Sequence, residues 1–481
     1  MKSPSDQTST LSTAPSDYRR PFVTIAFLFF IWGFITVMND VLIPHLKASF
    51  DLTYLQASLV QSAFFGAFFL ISLVYFIVSV SFGDPITRIG YKQSIIVGLV
   101  TCGLRCVLFY PAAVYHTYVF FLGALFILAT GVTILQIAAN PYAARLGAPE
   151  TASSRLNLAQ GFNSVGTTIA PVVGAILIYK VFSDGLITTD SLKAPYIIFG
   201  SVFLLMAVLV KTVKLPAIYG SEELVTGTAV LEYRQLRWGM IAIFCYVGGE
   251  VAVASFLVNF FALESIAGFD EAEGSTYLSF YWGGAMIGRF LGAVSMGTMT
   301  NDLKKNLIMA FLMIVSFWFI YLITGIQNDT DTFFFAPLPI ADIALFLLFL
   351  TVNYLAFLVG RGEPARTLSI FAFAVIVLLS MMMLAAGTVA FWSAIAVGAF
   401  NSILWSNIFT LAIKDLGRYT SQGSSLLVMM IVGGAVIPLL QGAVADTLGN
   451  IQLSFIVPLM CYVCVLFYGL YGHRARKLMK T

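Results

Sequence analysis

The stretch Phe27-Leu28-Phe29-Phe30-Ile31-Trp32-Gly33-Phe34-Ile35-Thr36-Val37-Met38-Asn39-Asp40-Val41-Leu42-Ile43-Pro44 is apolar over most of its length, yet it carries a carboxylate at Asp40. A hydrocarbon core about 30 Å thick is crossed by roughly 20 apolar residues in helical form. Ionisable groups inside such a span are rare, face the protein interior or a water-filled path, and mark ion or proton pathways. Arg105, Glu250 and Arg289 sit in comparable runs of Leu, Phe, Gly, Val and Ala. The pattern points to transport.

Composition agrees with this reading of the first span. The 481 residues are 59% hydrophobic and only 10% charged, whereas a soluble domain carries about 25% charged residues. The net charge of +3 comes from Lys and Arg scattered singly or in pairs, not from a stripe that would bind nucleic acid. Cys102, Cys106, Cys245, Cys461 and Cys464 all lie in apolar segments, so they form neither a secreted disulfide framework nor a spaced metal cluster. His45, His116 and His473 are dispersed near span ends, and no phosphate-cradling glycine loop is present. These features argue against an enzyme and imply no metal and no cofactor.

Apolar runs predict spans near 22–45, 58–82, 93–111, 118–140, 156–180 and 195–213 in the first half. The second half offers spans near 237–263, 277–297, 306–324, 340–360, 367–389, 391–413, 424–444 and 452–472. The expected architecture is an all-α polytopic membrane protein of about fourteen transmembrane helices. Its parts are a disordered cytoplasmic tail at 1–20, a six-helix bundle at 21–213, a cytoplasmic linker at 214–236, a second bundle at 237–472 and a tail at 473–481. Alternate loops collect Arg88 and Lys92, Arg145 and Arg155, Lys304 and Lys305, Arg361 and Arg366, and Lys414 and Arg418. Under the positive-inside rule these loops and both termini are cytoplasmic, and 325–338 is external.

The densest polar set falls on the fourth and fifth spans. Gln136 and Asn140 are four residues apart and share a helix face, and Asn157, Gln160 and Asn163 continue along the next span. Neutral amides both donate and accept without the cost of a buried charge, which suits an array of sugar hydroxyls. Helix-to-helix polar contacts are the alternative reading. Phe30, Trp32, Tyr246, Tyr281, Trp282 and Trp405 suit stacking on a pyranose, with Asn401 and Asn407 at its rim. Glu250 in the seventh span mirrors Asp40 in the first, so coupling to a proton or to sodium is open at both acids. Arg289 has a competing reading as a snorkelling or structural cation.

Longer blocks carry a family resemblance. Asn39 to Pro44, Gln136-Ile137-Ala138-Ala139-Asn140-Pro141-Tyr142, Arg155-Leu156-Asn157-Leu158-Ala159-Gln160-Gly161-Phe162-Asn163-Ser164 and Gln422-Gly423-Ser424-Ser425-Leu426-Leu427-Val428-Met429 resemble the fucose and glucose/galactose symporter branch of the major facilitator superfamily. Gly83-Asp84 through Arg88 and Lys92 is similar to that superfamily's loop after the second span. The resemblance implies two six-helix bundles around a central cavity opening alternately to either side. It implies that Asp40 couples ion binding to transport and that Gln160 and Asn163 line the sugar site. The fucose carriers have a glutamate where this chain has Gln136, which is more like the glucose/galactose and N-acetylglucosamine carriers; Glu250 is the candidate replacement acid. The hydrophobic pair at about 306–360 is additional to the family pattern, and its position suggests a peripheral structural pair.

The expected function is cation-coupled (proton or sodium) import of a hexose or N-acetylhexosamine, such as glucose, galactose or N-acetylglucosamine, by a monomer in a bacterial inner membrane. A facilitative uniporter is the alternative. The candidate coupling residues are Asp40, Glu250 and Arg289. The candidate substrate-binding residues are Asn39, Gln136, Asn140, Gln160, Asn163, Tyr246, Trp282, Asn401 and Trp405.

Overall fold

A chain in lipid must satisfy its backbone polar groups internally, and helices do so within each segment. The computed structural model describes residues 18–50, 54–115, 117–181, 192–216, 226–328 and 333–474. In the first half it contains α1 (Arg19–Phe50), α2 (Tyr54–Phe82), the short α3 (Pro85–Ile89), α4 (Tyr91–Val114), α5 (Tyr118–Arg145), α6 (Ala152–Ala175, extended by a π-helical turn) and α7 (Lys193–Thr212). The second half contains α8 (Arg234–Phe261), α9 (Glu271–Ser295), α10 (Asp302–Thr324), α11 (Ala344–Gly360) and α12 (Pro364–Leu384). It continues with α13 (Gly387–Asn401), α14 (Leu404–Ile413), α15 (Thr420–Met429), α16 (Gly433–Leu448), α17 (Ile451–Ser454) and α18 (Ile456–Phe467). The helices run past several expected limits: α1 starts inside the segment expected to be tail, α8 starts inside the expected linker, and α9 begins six residues before 277.

Among the described residues, 11 helical segments are long and apolar enough to cross a membrane. α6 and α9 are as long as these but are not among them, and α11, at 17 residues, is shorter. The hydroxyl and amide groups of α6 and the charged groups of α9 lower their hydropathy. Both helices line the cavity described below.

Helix ends alternate between two faces. The α3 face carries α3 and the α5–α6, α14–α15 and α11–α12 connections. The opposite face carries a two-stranded antiparallel hairpin, β1 (Ile326–Asn328) with β2 (Phe333–Phe335), in which Ile326 pairs with Phe335. This hairpin is a small departure from the all-α expectation.

Within the first half, α1 packs along α6 and α4 lies against α5 and α7; in the second, α8 packs on α16 and α18, and α9 on α13. Small residues permit the closest crossings. A Cβ on Gly166 would stand 2.2 Å from the Phe30 carbonyl oxygen, and one on Gly398 would stand 2.0 Å from that of Tyr281. The two halves meet mainly where α6 faces α9 and where α2 faces α15.

The additional pair is α10 and α11. α10 packs along α9 and reaches α6, while α11 lies against α13, α12 and α9. Asn353 Nδ2 donates to the Ala399 carbonyl at 2.9 Å, and Tyr321 Oη to that of Leu338 at 2.9 Å. Most of α10 is exposed or half-buried, but Ile323 and Thr324 at its end and Ile326, Leu338 and Asp342 beyond it line the central cavity, so the pair is not wholly peripheral.

Candidate functional site

A cavity of about 1610 Å³ lies between the halves and reaches the hairpin face. Thr36 and Val37 of α1, Phe64 and Phe65 of α2, and Asn163, Ser164, Thr167 and Thr168 of α6 form one side. Val251 and Ser255 of α8, Trp282 and Arg289 of α9, and Gly434 and Pro438 of α16 form the other. Ser164, Thr167 and Thr168 follow Asn163 at spacings that keep them on neighbouring faces of α6. Asn163 is held by donating Nδ2 to the Phe29 carbonyl at 3.0 Å, which fixes its amide on the α1–α6 seam.

At the base, Arg289 bridges the halves. One of its terminal nitrogens donates to Ser164 Oγ of α6, and its Nε donates to the Ser402 carbonyl at 3.3 Å. A guanidinium can hold several acceptors in a fixed fork, so it can orient polar groups from both walls at once. This is the geometry of a cavity residue, not of a snorkelling one.

Below Arg289 the halves are closed by hydrogen bonds. The Ser153 and Thr410 hydroxyls are 2.6 Å apart, Ser154 Oγ donates to the Ala293 carbonyl at 2.5 Å, and Asn157 Nδ2 donates to Asn407 Oδ1 at 3.2 Å. Nearer the α3 face, Ser424 Oγ donates to the Ile137 carbonyl at 3.0 Å and Ser421 Oγ to Asp84 Oδ2 at 2.6 Å. Asp84 is fully buried and also accepts from Tyr75 Oη, Ser79 Oγ, and the Thr87 amide and hydroxyl. One carboxylate thus ties α2, the start of α3 and α15 together.

Glu250 lies one step behind the cavity wall. Tyr246 Oη donates to Glu250 Oε1 at 2.7 Å and approaches the Asn401 carbonyl at 3.2 Å. Asn401 Nδ2 donates to Tyr281 Oη at 2.8 Å, Tyr462 Oη donates to Asn401 Oδ1 at 2.7 Å, and Arg289 acts electrostatically on Glu250. The acid thus belongs to a polar network joining α8, α9, α13 and α18.

The structure divides the residues singled out in the sequence. It brings Asn163, Trp282 and Arg289 to the cavity surface. Gln136, Asn140 and Gln160 are buried together instead: Asn140 Nδ2 donates to the Gln136 carbonyl at 3.1 Å, and Gln160 Nε2 reaches Asn140 Oδ1 at 3.4 Å. Tyr246, Asn401 and Trp405 are likewise buried behind the wall. Asn39 and Asp40 lie on the backbone of α1, but their side chains fall outside the described part of the structure. Arg105 is remote from the cavity, with Nε donating to the Ala124 carbonyl at 2.9 Å and its guanidinium 4.1 Å from the Phe109 ring centre. Thr36, Ser164, Thr167, Thr168, Ser255 and Asp342 line the cavity but were not singled out. The hydroxyl run after Asn163 was the available signal for three of them.

Two helical halves around a cavity open at one face and bonded shut at the other define an alternating-access carrier fold. Residues 23–372 match the model of the Major Facilitator Superfamily, and the chain belongs to that family. It is a transporter rather than an enzyme. It is 40% identical to a glucose/galactose transporter of Brucella abortus biovar 1 (strain 9-941), over 97% of each chain. It is 30% identical to an L-fucose-proton symporter of Escherichia coli (strain K12), over 94% of this chain and 93% of that one. The crystal structure of the transporter FucP in the outward conformation superposes with a TM-score of 0.73 at 29% identity, over 95% of this chain and 99% of that one.

Proposed function

We propose that this protein is a cation-coupled importer of a hexose or N-acetylhexosamine, working by alternating access in a bacterial inner membrane. The observation that carries the reading is the cavity itself, with Asn163 and Ser164 on one half facing Trp282 and Arg289 on the other. Amide and hydroxyl groups on one wall and an indole on the other suit a pyranose, whose hydroxyls need partners and whose ring faces are apolar. The names of the relatives favour a hexose.

In this reading the fold is two six-helix bundles plus the pair α10–α11, giving fourteen spans. The α3 face and both termini are cytoplasmic, and the cavity opens outward. Sugar bound between Asn163 and Arg289 draws the halves together at the hairpin face while the hydrogen bonds below Arg289 separate. Gln136, Asn140, Gln160, Tyr246, Asn401 and Trp405 then become part of the sugar's path, with Asn39 near Asp40.

Asp40 and Glu250 are the coupling acids, and Arg289 transmits the state of Glu250. Ionised, Glu250 attracts the guanidinium toward the second half; neutralised by a proton, it releases Arg289 to Ser164 and the sugar. Glu250 and Arg289 act on each other electrostatically, so neutralising the acid changes the relative stability of the two conformations. A proton is favoured over sodium because one relative is named a proton symporter.

The test is uptake of labelled glucose, galactose and N-acetylglucosamine into proteoliposomes under imposed proton or sodium gradients. Uphill accumulation of one sugar under one gradient is expected. Uptake that never passes equilibrium would assign a uniporter, and no uptake of any sugar would overturn the reading.

A further inference from the structure

The cavity has a second polar zone that the central site does not use. On α9, Arg289, Trp282 and Ser275 recur every seven residues along the cavity side, and all three line it. At 1.5 Å rise per residue, Ser275 stands about 20 Å from Arg289 along the helix. That separation is several times the width of a pyranose, so a sugar held at the base leaves the mouth unfilled. The volume of about 1610 Å³ agrees, since single small-molecule sites occupy roughly 300–1,000 Å³.

The inserted pair builds much of the mouth. Ile323 and Thr324 end α10, Ile326 opens the hairpin, and Leu338 and Asp342 precede α11; all five line the cavity. Glu273, Ser275 and Thr276 of α9 line it as well. Thr324 Oγ1 donates to the Ile320 and Tyr321 carbonyls, at 2.9 and 3.2 Å, leaving its lone pairs toward acceptance. Glu273 and Asp342 are exposed, and both act electrostatically on Tyr277, whose ring stacks on Phe269 at 5.1 Å. Among the described residues no three His, Cys, Asp or Glu side chains cluster closely enough to hold a metal ion. The zone therefore offers hydroxyl acceptors beside an apolar aromatic wall, not a cation cage.

We propose that the inserted helix pair forms an outer sugar subsite, in which Asp342, Thr324 and Glu273 accept hydrogen bonds from a neutral pyranose before it passes Trp282 to the base. This rests on the sugar-carrier reading above. The pair supplies a capture position at the mouth and thereby sets the apparent affinity for sugar.

The experiment is initial-rate uptake by full-length protein in proteoliposomes, using the best sugar of the wild-type panel. The double variant Asp342→Ala/Thr324→Val is expected to raise KM about three- to tenfold, the loss of one or two hydroxyl contacts, with the maximal rate little changed. Asp342→Asn, which keeps a carbonyl acceptor, is expected to restore most of the affinity. A double variant that is monodisperse with unchanged KM overturns the inference and leaves the carrier reading intact. A fall in maximal rate with KM unchanged also overturns it, assigning the pair a structural or gating role. A KM rise confined to cationic amino sugars and equal in Asp342→Asn overturns it in favour of charge steering. Failure of the wild type to move any sugar overturns both readings.

Discussion

Ser421→Ala should shift the protein toward the state open at the α3 face. The hydroxyl donates to Asp84 Oδ2 at 2.6 Å and is one of the bonds closing the halves there. A hydrogen bond to a charged group contributes about 1.5–3 kcal/mol. The carboxylate keeps its bonds from Tyr75, Ser79 and Thr87 in the variant, so its charge is not stranded and the lower end applies. About 1.5 kcal/mol corresponds to roughly a tenfold change in the equilibrium. Ser406 supplies a reporter: it is 1% exposed, precedes Thr410 by one turn, and so shares the α14 face that meets Ser153 of α6. Its replacement by cysteine, in a background with the exposed Cys464 and the half-buried Cys245 changed to serine, gives a thiol that reacts only when the halves part at this face. Its labelling by a small maleimide should accelerate about tenfold when Ser421→Ala is added. An unchanged or slower rate would refute the assignment of the Asp84–Ser421 contact as a closing bond.

Asn163→Ala removes an amide from the cavity surface and should weaken equilibrium sugar binding by about 1–3 kcal/mol while leaving protein accumulation near wild type; isothermal titration of the purified variant checks it, and unaltered affinity would return Asn163 to helix packing. Glu250→Gln keeps the acceptor of Tyr246 but removes the charge felt by Arg289, so counterflow should persist while gradient-driven accumulation is lost in sealed vesicles; full uphill transport would exclude Glu250 from coupling. Asp40→Asn should give the same separation of exchange from accumulation. Gly166→Ala sets a methyl 2.2 Å from the Phe30 carbonyl oxygen, a contact relieved only by spreading α1 from α6, at a cost of about 1–3 kcal/mol; a melting temperature equal to wild type would show that the seam is looser than described.

Part of the candidate site was legible, and the limits have physical causes. Asn163 and Arg289 could be singled out because a polar group in an apolar span must face protein or water. Gln136, Asn140 and Gln160 met the same criterion but lie buried among one another. An amide satisfied by a neighbouring helix and one awaiting a ligand have the same sequence signature, and only the rotation of each helix separates them. The hydroxyls of Thr167 and Thr168 escaped notice because a serine or threonine in a span can bond its own helix backbone, as Thr168 does to Ser164 at 2.8 Å. Asp342 escaped because it stands at the very start of the apolar run 340–360, where a carboxylate at a span end reaches water and has little cost to explain.

By itself the sequence determined that the chain is a polytopic helical membrane protein and placed its apolar segments to within a few residues. These follow from hydropathy and charge, which act on each segment almost independently because lipid judges every span by its own length and polarity. Tertiary structure alone decided which polar side chains share a cavity, that Arg289 bridges the halves, that Asp84 meets Ser421 more than three hundred positions away, and that the segment between α10 and α11 forms part of the cavity mouth. Those relations depend on helix rotation and on close crossings such as Gly166 against Phe30 and Gly398 against Tyr281, where the partners lie far apart in the chain and no local pattern records which faces will meet.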